Sequence, residues 1–304
     1  LGHIVEHDWL RLGLWNSLAN PTGGPVTLLT DLPPAGLLVE PDAMTVQLAG
    51  GTVLRTRLLV GADGADSWVR EQLRLRSTGR EYAQSALVAH VSSEQPHERT
   101  AWQCFMKPGP VALLPLADGR SSVVWSCFEA EAQELTGLPE EEFGARLAAA
   151  TGRVLGKLRV TTRRLAIPLA VRHTHRYTGA RFALIGDAAH QIHPLAGQGI
   201  NLGLLDAAAL AETLASHVLG TCLADPGDAL VLRRYERWRK GDNLLTMAAM
   251  EGLHRVFTSD SSTLTRLATA GLGIVDRLPL IKRLLAEQAA GSPTPRLREQ
   301  HASP

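Results

Sequence analysis

The order of apolar and polar positions predicts a chain that alternates between short strands and helices. Apolar residues at helical spacing predict a first helix over residues 1–18. Short apolar runs broken by prolines and glycines predict strands joined by tight turns between Val26 and Val60. The last of these runs, residues 57–60, leads into Gly61-Ala62-Asp63-Gly64 and then into a helical stretch over residues 67–75. This segment is therefore predicted to be a strand, a glycine turn and a helix.

Strands of mixed polarity dominate the middle of the chain and predict a mostly antiparallel sheet. The predicted strands cover residues 86–91, 101–106, 111–116 and 121–128. One helical insertion is expected over residues 140–150. The change of pattern indicates a second domain between about residues 82 and 168.

The last third of the chain is predicted to be helical after one more strand. That strand covers residues 181–185 and ends in Gly186-Asp187. A nearly uncharged helix over residues 199–219 follows, and because it is apolar on most sides we expect it in the interior. Two more helices are predicted over residues 230–257 and 262–290. The basic residues of the first are interpreted as a solvated face: Arg233, Arg234, Arg237, Arg239 and Lys240.

Composition narrows the classes of protein that fit this pattern. A chain of 304 residues, 45% hydrophobic and 20% charged, can bury the cores of two domains. With 31 basic against 30 acidic residues, nothing calls for a nucleic-acid partner. The three cysteines, Cys104, Cys127 and Cys222, form no CxxC pattern, so neither a disulfide framework nor a metal site is expected. No signal peptide or transmembrane run is evident, and a cytoplasmic location is expected.

The densest motif is Gly186-Asp187-Ala188-Ala189-His190, followed by a glycine-rich run from His193 to Asp206. It places an acid at a strand end and backbone amides at a helix start, where the helix dipole favours a group that is or becomes anionic. Gly197 and Gly199 would let the main chain approach a flat ring. Asp187 can accept hydrogen bonds from a sugar or ribityl hydroxyl. Such a helix start suits a flavin, which gains negative charge when it is reduced.

This run resembles the signature of the FAD-dependent hydroxylases of ubiquinone biosynthesis, a family of class A flavoprotein aromatic monooxygenases. The signature HP-L-AGQG-x-N-x-G-x-x-D is matched at every fixed position from His193 to Asp206. The resemblance implies that the Gly-Asp motif holds the ribityl chain and that the glycine loop lies along the flavin ring. The cofactor-binding residues implied are Asp63, Gly64, Gly186, Asp187, Ala188, Pro194, Ala196, Gly197, Gln198, Gly199 and Asn201.

A second family motif covers Gly61 to Ser67 and ends in Ser-x-x-Arg. Its Asp-Gly pair is a common turn by itself. The resemblance implies that Asp63 helps to organise FAD and reduced nicotinamide contacts. It also implies a substrate domain beginning near Tyr82, whose cavity lining is expected to include Leu113, Leu114, Pro115 and Leu116.

The implied architecture is α/β: an FAD-binding Rossmann-like domain and a mostly antiparallel β-sheet substrate domain, as in para-hydroxybenzoate hydroxylase. No GxGxxG fingerprint for the pyrophosphate occurs in the sequence. The resemblance places that first βαβ unit before the position of Leu1, so the amino-terminal segment is expected to be missing and the isolated fragment inactive. The FAD domain is expected over 1–80 and 171–228, the substrate domain over 81–170, carboxyl-terminal helices over 229–290 and a disordered tail over 291–304.

The activity implied is hydroxylation of the aromatic ring of a polyprenylated phenol or quinone precursor by O2, through a flavin hydroperoxide. NAD(P)H is the implied transient electron donor, and a ubiquinone-biosynthesis protein complex and peripheral contact with a membrane are implied partners. No catalytic acid or base is assigned. His190 and His193 are interpreted as loop scaffold.

Three alternatives stay open at this point. A flavin-dependent hydroxylase of another phenolic pathway would carry the same motifs. Flavin halogenases and polyprenyl reductases carry a similar Gly-Asp motif, but the Trp-x-Trp-x-x-Pro signature of halogenases is absent around Trp125. From a different class, a chain without the pyrophosphate loop would serve as a non-catalytic assembly partner.

Overall fold

The structure is a computed structural model that describes residues 3–19, 26–192, 199–218 and 225–258. Several predictions from the sequence lie outside the described residues. These are the flavin-loop residues 193–198, Cys222, the helix over 262–290 and the tail over 291–304.

Strands and helices follow one another much as the apolar pattern predicts. The described strands are β1 (Pro34–Val39), β2 (Met44–Leu48), β3 (Val53–Thr56), β4 (Leu59–Gly61), β5 (Ser77–Ser93), β6 (Trp102–Cys104), β7 (Val111–Pro115), β8 (Ser121–Phe128), β9 (Leu158–Val160), β10 (Leu165–Thr174), β11 (Thr178–Gly179), β12 (Phe182–Leu184) and β13 (His190–Gln191). The described helices are α1 (His7–Ala19), α2 (Trp68–Gln72), α3 (Glu129–Gly137), α4 (Glu140–Ala150), α5 (Gly199–Val218) and α6 (Ala229–Thr258).

A seven-stranded sheet forms the centre of the described chain. Its order is β13-β10-β5-β8-β7-β6, and β9 pairs with the end of β5. Every pair in it is antiparallel, which confirms the predicted sheet. The prediction of one helical insertion is wrong in number. The structure has two helices here, α3 and α4, and only α4 was predicted. Helix α3 is built from good helix formers and ends at Gly137, just before Pro139.

The two faces of this sheet differ in burial. Side chains on one face pack with α3 and α4 into a core that includes Leu87, Leu113, Trp125, Phe143 and Leu147. Successive side chains of a strand point to opposite faces. The other face therefore carries the alternate residues, and there Leu165 and Ile167 of β10 are 49% and 51% exposed.

The described chain also contains two smaller sheets. Strands β1, β2 and β3 form an antiparallel meander, as the turns between Val26 and Val60 predict. Strands β11, β12 and β4 form the other sheet, in which β12 and β4 are parallel. A second core lies here, where α2, α5 and α6 contribute Val69, Leu210, Leu232 and Tyr235 beside the buried strand β12.

Helix α5 is buried on one side only, although its composition predicts an interior helix. Leu202, Asp206 and Leu210 are buried along one face, whereas Ile200 and Leu204 are exposed. The prediction of an interior helix is therefore wrong, because burial follows the face that packs on α6 and β12 rather than average hydropathy.

The predicted solvated basic face of α6 is wrong for two of its five residues. Arg233, Arg234 and Arg237 are exposed as expected, but Arg239 is 4% exposed and ion-paired inside the protein. Lys240 is partly buried and donates to the His175 carbonyl. A helix turns 100° per residue, so neighbours in a basic run point in different directions.

Other predictions are met in part or stay open. Among the described residues, no helix is long and apolar enough to cross a membrane. The predicted domain limits at residues 81 and 170 cut across the large sheet, since β5 begins at Ser77 and β10 continues to Thr174. The division of the chain into domains stays a prediction.

Candidate functional site

The two sequence motifs meet where the parallel strands β4 and β12 end. β4 ends at Gly61 and β12 at Leu184, and these two residues are direct partners in the parallel register. The Ile185 N–H donates to the Gly61 carbonyl at 3.0 Å, so the chains leave the sheet side by side. Ligands of α/β proteins bind outside the carboxyl ends of parallel strands. Asp63-Gly64 and Gly186-Asp187 lie at this carboxyl-terminal edge of the sheet.

Glycines allow the backbone turns at this edge. Gly186 has a φ of +58° and Gly64 a φ of +82°, which L side chains rarely adopt. Gly186 also lies against Gly203 of α5, where an added Cβ on Gly203 would approach the Gly186 Cα to 3.3 Å. The turn over Gly186–Ala188 thus packs backbone to backbone on α5.

Asp63 has a local role that the sequence did not assign. Its Oδ2 accepts the Val69 N–H of α2 at 3.0 Å, while the Ser67 hydroxyl caps the same helix by accepting the Arg70 N–H at 3.0 Å. Side-chain acceptors at a helix start satisfy amides that have no partner within the helix. Asp63 is exposed beyond this contact, so its proposed part in cofactor binding is compatible with the geometry.

Arg70 links the two motifs and was missed as a site residue. Its guanidinium donates to the Ala65 carbonyl at 2.6 Å and to the Ala188 carbonyl at 3.2 Å. Burial and then the nearby Arg172 lower the pKa of Arg70 from its usual value. Arg172 donates to the same Ala65 carbonyl. The only signal in the sequence was the arginine that closes the Ser-x-x-Arg pattern.

A buried charged cluster lies directly behind the Gly-Asp turn. Asp206 of α5 is 0% exposed, and its carboxylate accepts from four donors. Gly186 N donates to Oδ2 at 3.1 Å and His190 Nε2 to Oδ2 at 2.5 Å. Arg239 Nε donates to Oδ1 at 2.7 Å and Asn243 Nδ2 to Oδ1 at 3.2 Å. Burial raises the pKa of Asp206, but the bonds from His190 and Arg239 outweigh it and the net pKa is lowered.

His190 is held as scaffold rather than exposed as a base. The ring is 1% exposed and its Nε2 is committed to Asp206. Its buried Nδ1 has no hydrogen-bond partner in the part of the chain that the structure describes. This geometry fits the interpretation of His190 as a residue that fixes the loop.

Asp187 and the start of α5 suit a flavin cofactor. Asp187 is exposed at the tip of the turn, where its carboxylate can accept from a hydroxyl of the cofactor. Burial of its surroundings raises the pKa of Asp187 above its usual value. Helix α5 begins at Gly199, and its amino-terminal dipole favours negative charge nearby. An FAD site needs an acceptor for the cofactor's hydroxyls, a turn that lets the main chain approach the cofactor, and the amino terminus of a helix. All three are present here.

Not all of the predicted site residues come together. Asp63, Gly64, Gly186, Asp187 and Ala188 share the sheet edge. Gly199 and Asn201 begin α5, whereas Pro194, Ala196, Gly197 and Gln198 lie outside the described residues. The predicted lining residues Leu113, Leu114, Pro115 and Leu116 lie on or just after β7, and strand alternation divides them between the two faces of the sheet.

The large sheet reaches the flavin motif through β13. His190 pairs with His173, and Gln191 pairs with Arg172, both on β10. The motif that follows β12 is therefore hydrogen-bonded to the same strand that carries the exposed Leu165 and Ile167. The Gly-Asp turn and the exposed apolar residues of β10 are therefore connected through the pairing of β13 with β10.

Comparison with known proteins identifies the class. The family model described as an FAD binding domain matches residues 39–240. The crystal structure of PqsL from Pseudomonas aeruginosa in complex with 2-aminobenzoylacetate superposes with a TM-score of 0.69 at 28% identity, covering 82% of this chain and 69% of that one. The fold and the site therefore define an FAD-dependent monooxygenase of mixed α/β architecture.

Two relatives define the family more closely. The ubiquinone hydroxylase UbiL of Rhodospirillum rubrum is 38% identical over 295 residues, covering 96% of this chain and 67% of that protein. The 3-demethoxyubiquinol 3-hydroxylase of Escherichia coli is 34% identical over 293 residues, covering 96% of this chain and 73% of its own length. The chain belongs to the family of FAD-dependent ubiquinone-biosynthesis hydroxylases.

Asp187→Asn is expected to stabilise the protein slightly near neutral pH while weakening FAD binding. Because the pKa of this carboxyl is raised in the folded protein, the protein loses stability as pH rises from the unfolded-state pKa, about 3.9, through the folded-state pKa. The amide removes that loss but cannot accept from a cofactor hydroxyl as strongly. Thermal midpoints at several pH values and FAD titrations would measure both effects.

Asp8→Asn is the matched control, because Asp8 lies on α1 with an 87% exposed side chain. It should leave the FAD affinity unchanged. Unchanged FAD affinity in Asp187→Asn would remove Asp187 from the cofactor site.

Proposed function

We propose that this protein hydroxylates the aromatic ring of a polyprenylated phenol in ubiquinone biosynthesis, using FAD and O2. The observation that carries the proposal is the meeting of Asp63-Gly64 and Gly186-Asp187 at the carboxyl ends of the parallel strands β4 and β12. The names of the two relatives above support the substrate class.

The residues at this edge have distinct tasks in the proposed reaction. FAD, when bound, supplies the chemistry that activates O2. Asp187 accepts from the ribityl hydroxyls, Gly186 keeps the turn close to the cofactor, and the start of α5 stabilises negative charge on it. Arg70 fixes the two turns relative to each other through the Ala65 and Ala188 carbonyls. No described side chain is needed as an acid or base, so exclusion of water is the protein's main contribution.

The substrate is proposed to lie on the face of the large sheet opposite α3 and α4. Leu165 and Ile167 are exposed there and pair with Val88 and Ala86 of β5. Leu114 lies on this face too, because its neighbour Leu113 is 1% exposed in the opposite core. Covering these side chains with a prenyl tail would remove apolar surface from water, which favours binding of the tail. Leu114 is therefore the better candidate than Leu113 for lining the substrate cavity.

NAD(P)H is the proposed electron donor, on the strength of the family resemblance around Asp63. Mixing the FAD-loaded protein with NADH or NADPH in the absence of O2 tests it, because reduction bleaches the visible absorbance of the flavin. Bleaching by neither nucleotide would assign the reduction to another donor.

The location and partners of the protein are proposed from its substrate. A polyprenylated phenol resides in a lipid bilayer, so a cytoplasmic enzyme that acts on it needs peripheral contact with the membrane. A ubiquinone-biosynthesis complex is the proposed protein partner. Flotation with vesicles that contain the phenol, compared with vesicles that lack it, would test the membrane contact.

The activity test uses the FAD-loaded protein with NAD(P)H, O2 and two phenols, one polyprenylated and one without a tail. Mass spectrometry should show a gain of one oxygen atom on the ring of the prenylated phenol. Oxidation of the tail-free phenol alone would favour another phenolic pathway. A protein that binds no FAD and oxidises neither would favour the non-catalytic assembly partner.

Ile167→Asp is expected to raise the KM for the prenylated phenol about tenfold, with little change in kcat. Its side chain is half exposed in a strand, so the change should lower the unfolding free energy by about 1 kcal/mol, which leaves the protein folded. A charge on this face would oppose burial of the tail, and about 1.4 kcal/mol corresponds to tenfold. Steady-state kinetics on both phenols would measure the effect.

Leu230→Asp provides the control, because Leu230 is 71% exposed and lies at the start of α6, not on the large sheet. It should leave KM unchanged. An equal rise in KM for the tail-free phenol in Ile167→Asp would place the tail elsewhere.

A further inference from the structure

Asp206 divides its two carboxylate oxygens between two parts of the molecule. Oδ2 accepts from Gly186 and from His190, the first residue of the Gly-Asp turn and the residue that begins β13. Oδ1 accepts from Arg239 and Asn243, one turn apart on α6. One buried group thus binds both ends of the segment that carries Asp187 and ties that segment to a distant helix.

Helix α6 is itself fixed to the parallel sheet beside the turn. The Tyr235 hydroxyl donates to the Leu184 carbonyl at 2.9 Å, at the end of β12. Glu236 accepts from the Tyr177 N–H at 3.1 Å and from the Thr178 hydroxyl at 2.8 Å. α6 therefore provides a rigid support against which Asp206 holds the turn.

The four donors around Asp206 explain why the residue is an acid. All four are N–H groups, and His190, Arg239, Asn243 and Asp206 are each at most 4% exposed. A carboxylate offers two oxygens that only accept. An amide at this position would turn an NH2 donor toward one pair of donors, either the turn or α6. The site therefore needs an acceptor on both sides at once.

We propose that Asp206 is a positioning residue of the flavin site, which sets the place of Asp187 by holding Gly186 and His190 against α6. The inference rests on the FAD site proposed above. Asp206 does not contact the cofactor in this account. Its effect reaches the flavin through the main chain of the turn.

A purely structural role would make FAD affinity follow stability, and a pair of variants separates the two roles. Arg239→Met removes the main α6 partner but leaves the carboxylate and both of its bonds to the turn. Asp206→Asn keeps the shape and Asn243 but disrupts the acceptor that serves the turn. Both variants should be less stable than the wild type, since each leaves a buried charge with fewer partners. Only Asp206→Asn also changes the acceptor that holds the turn.

The experiment measures three quantities on each purified protein: the urea midpoint, the Kd for FAD by fluorescence titration, and the midpoint potential of the bound flavin. Asp206→Asn should weaken FAD binding at least about tenfold, as expected for loss of a hydrogen bond to a charged group, and shift the flavin potential. Arg239→Met should weaken FAD binding less than about threefold despite its lower urea midpoint.

The opposite order, with FAD affinity lower in Arg239→Met than in Asp206→Asn, would overturn the proposal. If Asp206→Asn does not fold, the double variant Asp206→Asn/Arg239→Gln takes its place in the experiment, because it removes both buried charges. The double variant should bind FAD more weakly than the wild type. Wild-type affinity for FAD in the double variant would overturn the proposal. Failure of the wild type to bind FAD is a separate result, which would remove the proposed function and the inference together.

Discussion

Arg239→Met is expected to lower the free energy of unfolding by about 3–5 kcal/mol, the usual cost of removing one partner from a buried ion pair. The guanidinium is 5% exposed and the Asp206 carboxylate 0% exposed, with 2.7 Å between Arg239 Nε and Asp206 Oδ1. Arg239 also donates to the side-chain Oδ1 of Asn243 at 3.0 Å. Without the arginine, Asp206 retains its charge in a place that water does not reach. Urea unfolding near neutral pH measures the loss.

The control for this variant lies two residues away on the same helix. Arg237 is exposed, so Arg237→Met should change the unfolding free energy by less than about 0.5 kcal/mol. The lowered pKa of Asp206 means that its ionic bonds stabilise the fold above the unfolded pKa of about 3.9 and are lost as pH falls through the folded value. The difference between wild type and Arg239→Met should therefore shrink in acid. A difference that stays constant would mean that charge is not its cause.

Gly203→Val is expected to cost about 1–3 kcal/mol of unfolding free energy, a typical cost of overpacking, and to weaken FAD binding about tenfold or more. A Cβ at Gly203 already approaches the Gly186 Cα to 3.3 Å, and the two methyl groups of valine enlarge the collision. Main chain cannot rotate away as a side chain can. The turn that carries Asp187 must therefore move off α5. FAD titration together with urea unfolding measures both effects.

The same substitution at Gly241 separates collision from helix propensity. Gly241 lies inside α6, and a Cβ there meets nothing within 4 Å. Gly241→Val should leave FAD affinity unchanged. Wild-type FAD affinity in Gly203→Val would show that the contact between Gly186 and Gly203 does not hold the cofactor site.

Local pattern was enough to predict most elements of the fold. Short runs of mixed polarity predicted β5, β7 and β8, and the strand, glycine turn and helix around Asp63 are present as β4, the turn and α2. These predictions succeeded because each depends on neighbours a few residues apart. Helix α3 was missed because good helix formers without a clear apolar stripe give a weak periodic signal.

The candidate site was predicted by motif and only partly by chemistry. The family resemblance of the motifs that follow two strands pointed to Gly186, Asp187 and Gly64, and these residues lie at one sheet edge in the structure. Arg70 and Arg239 were not assigned to it, because their roles depend on contacts with residues 118 and 33 positions away. Arg239 in particular looks like any other member of a basic run until the direction of its side chain is known.

The sequence by itself determined the family, the alternation of strands and helices, and the residues proposed to bind FAD. Those properties are recorded in short runs of residue types, since turns need glycine and cofactor hydroxyls need an acceptor. Only the tertiary structure decided that Asp206 joins the Gly-Asp turn to α6 and that Leu113 and Leu114 face opposite sides of one sheet. Burial and pairing depend on where distant segments meet, and no local pattern specifies that.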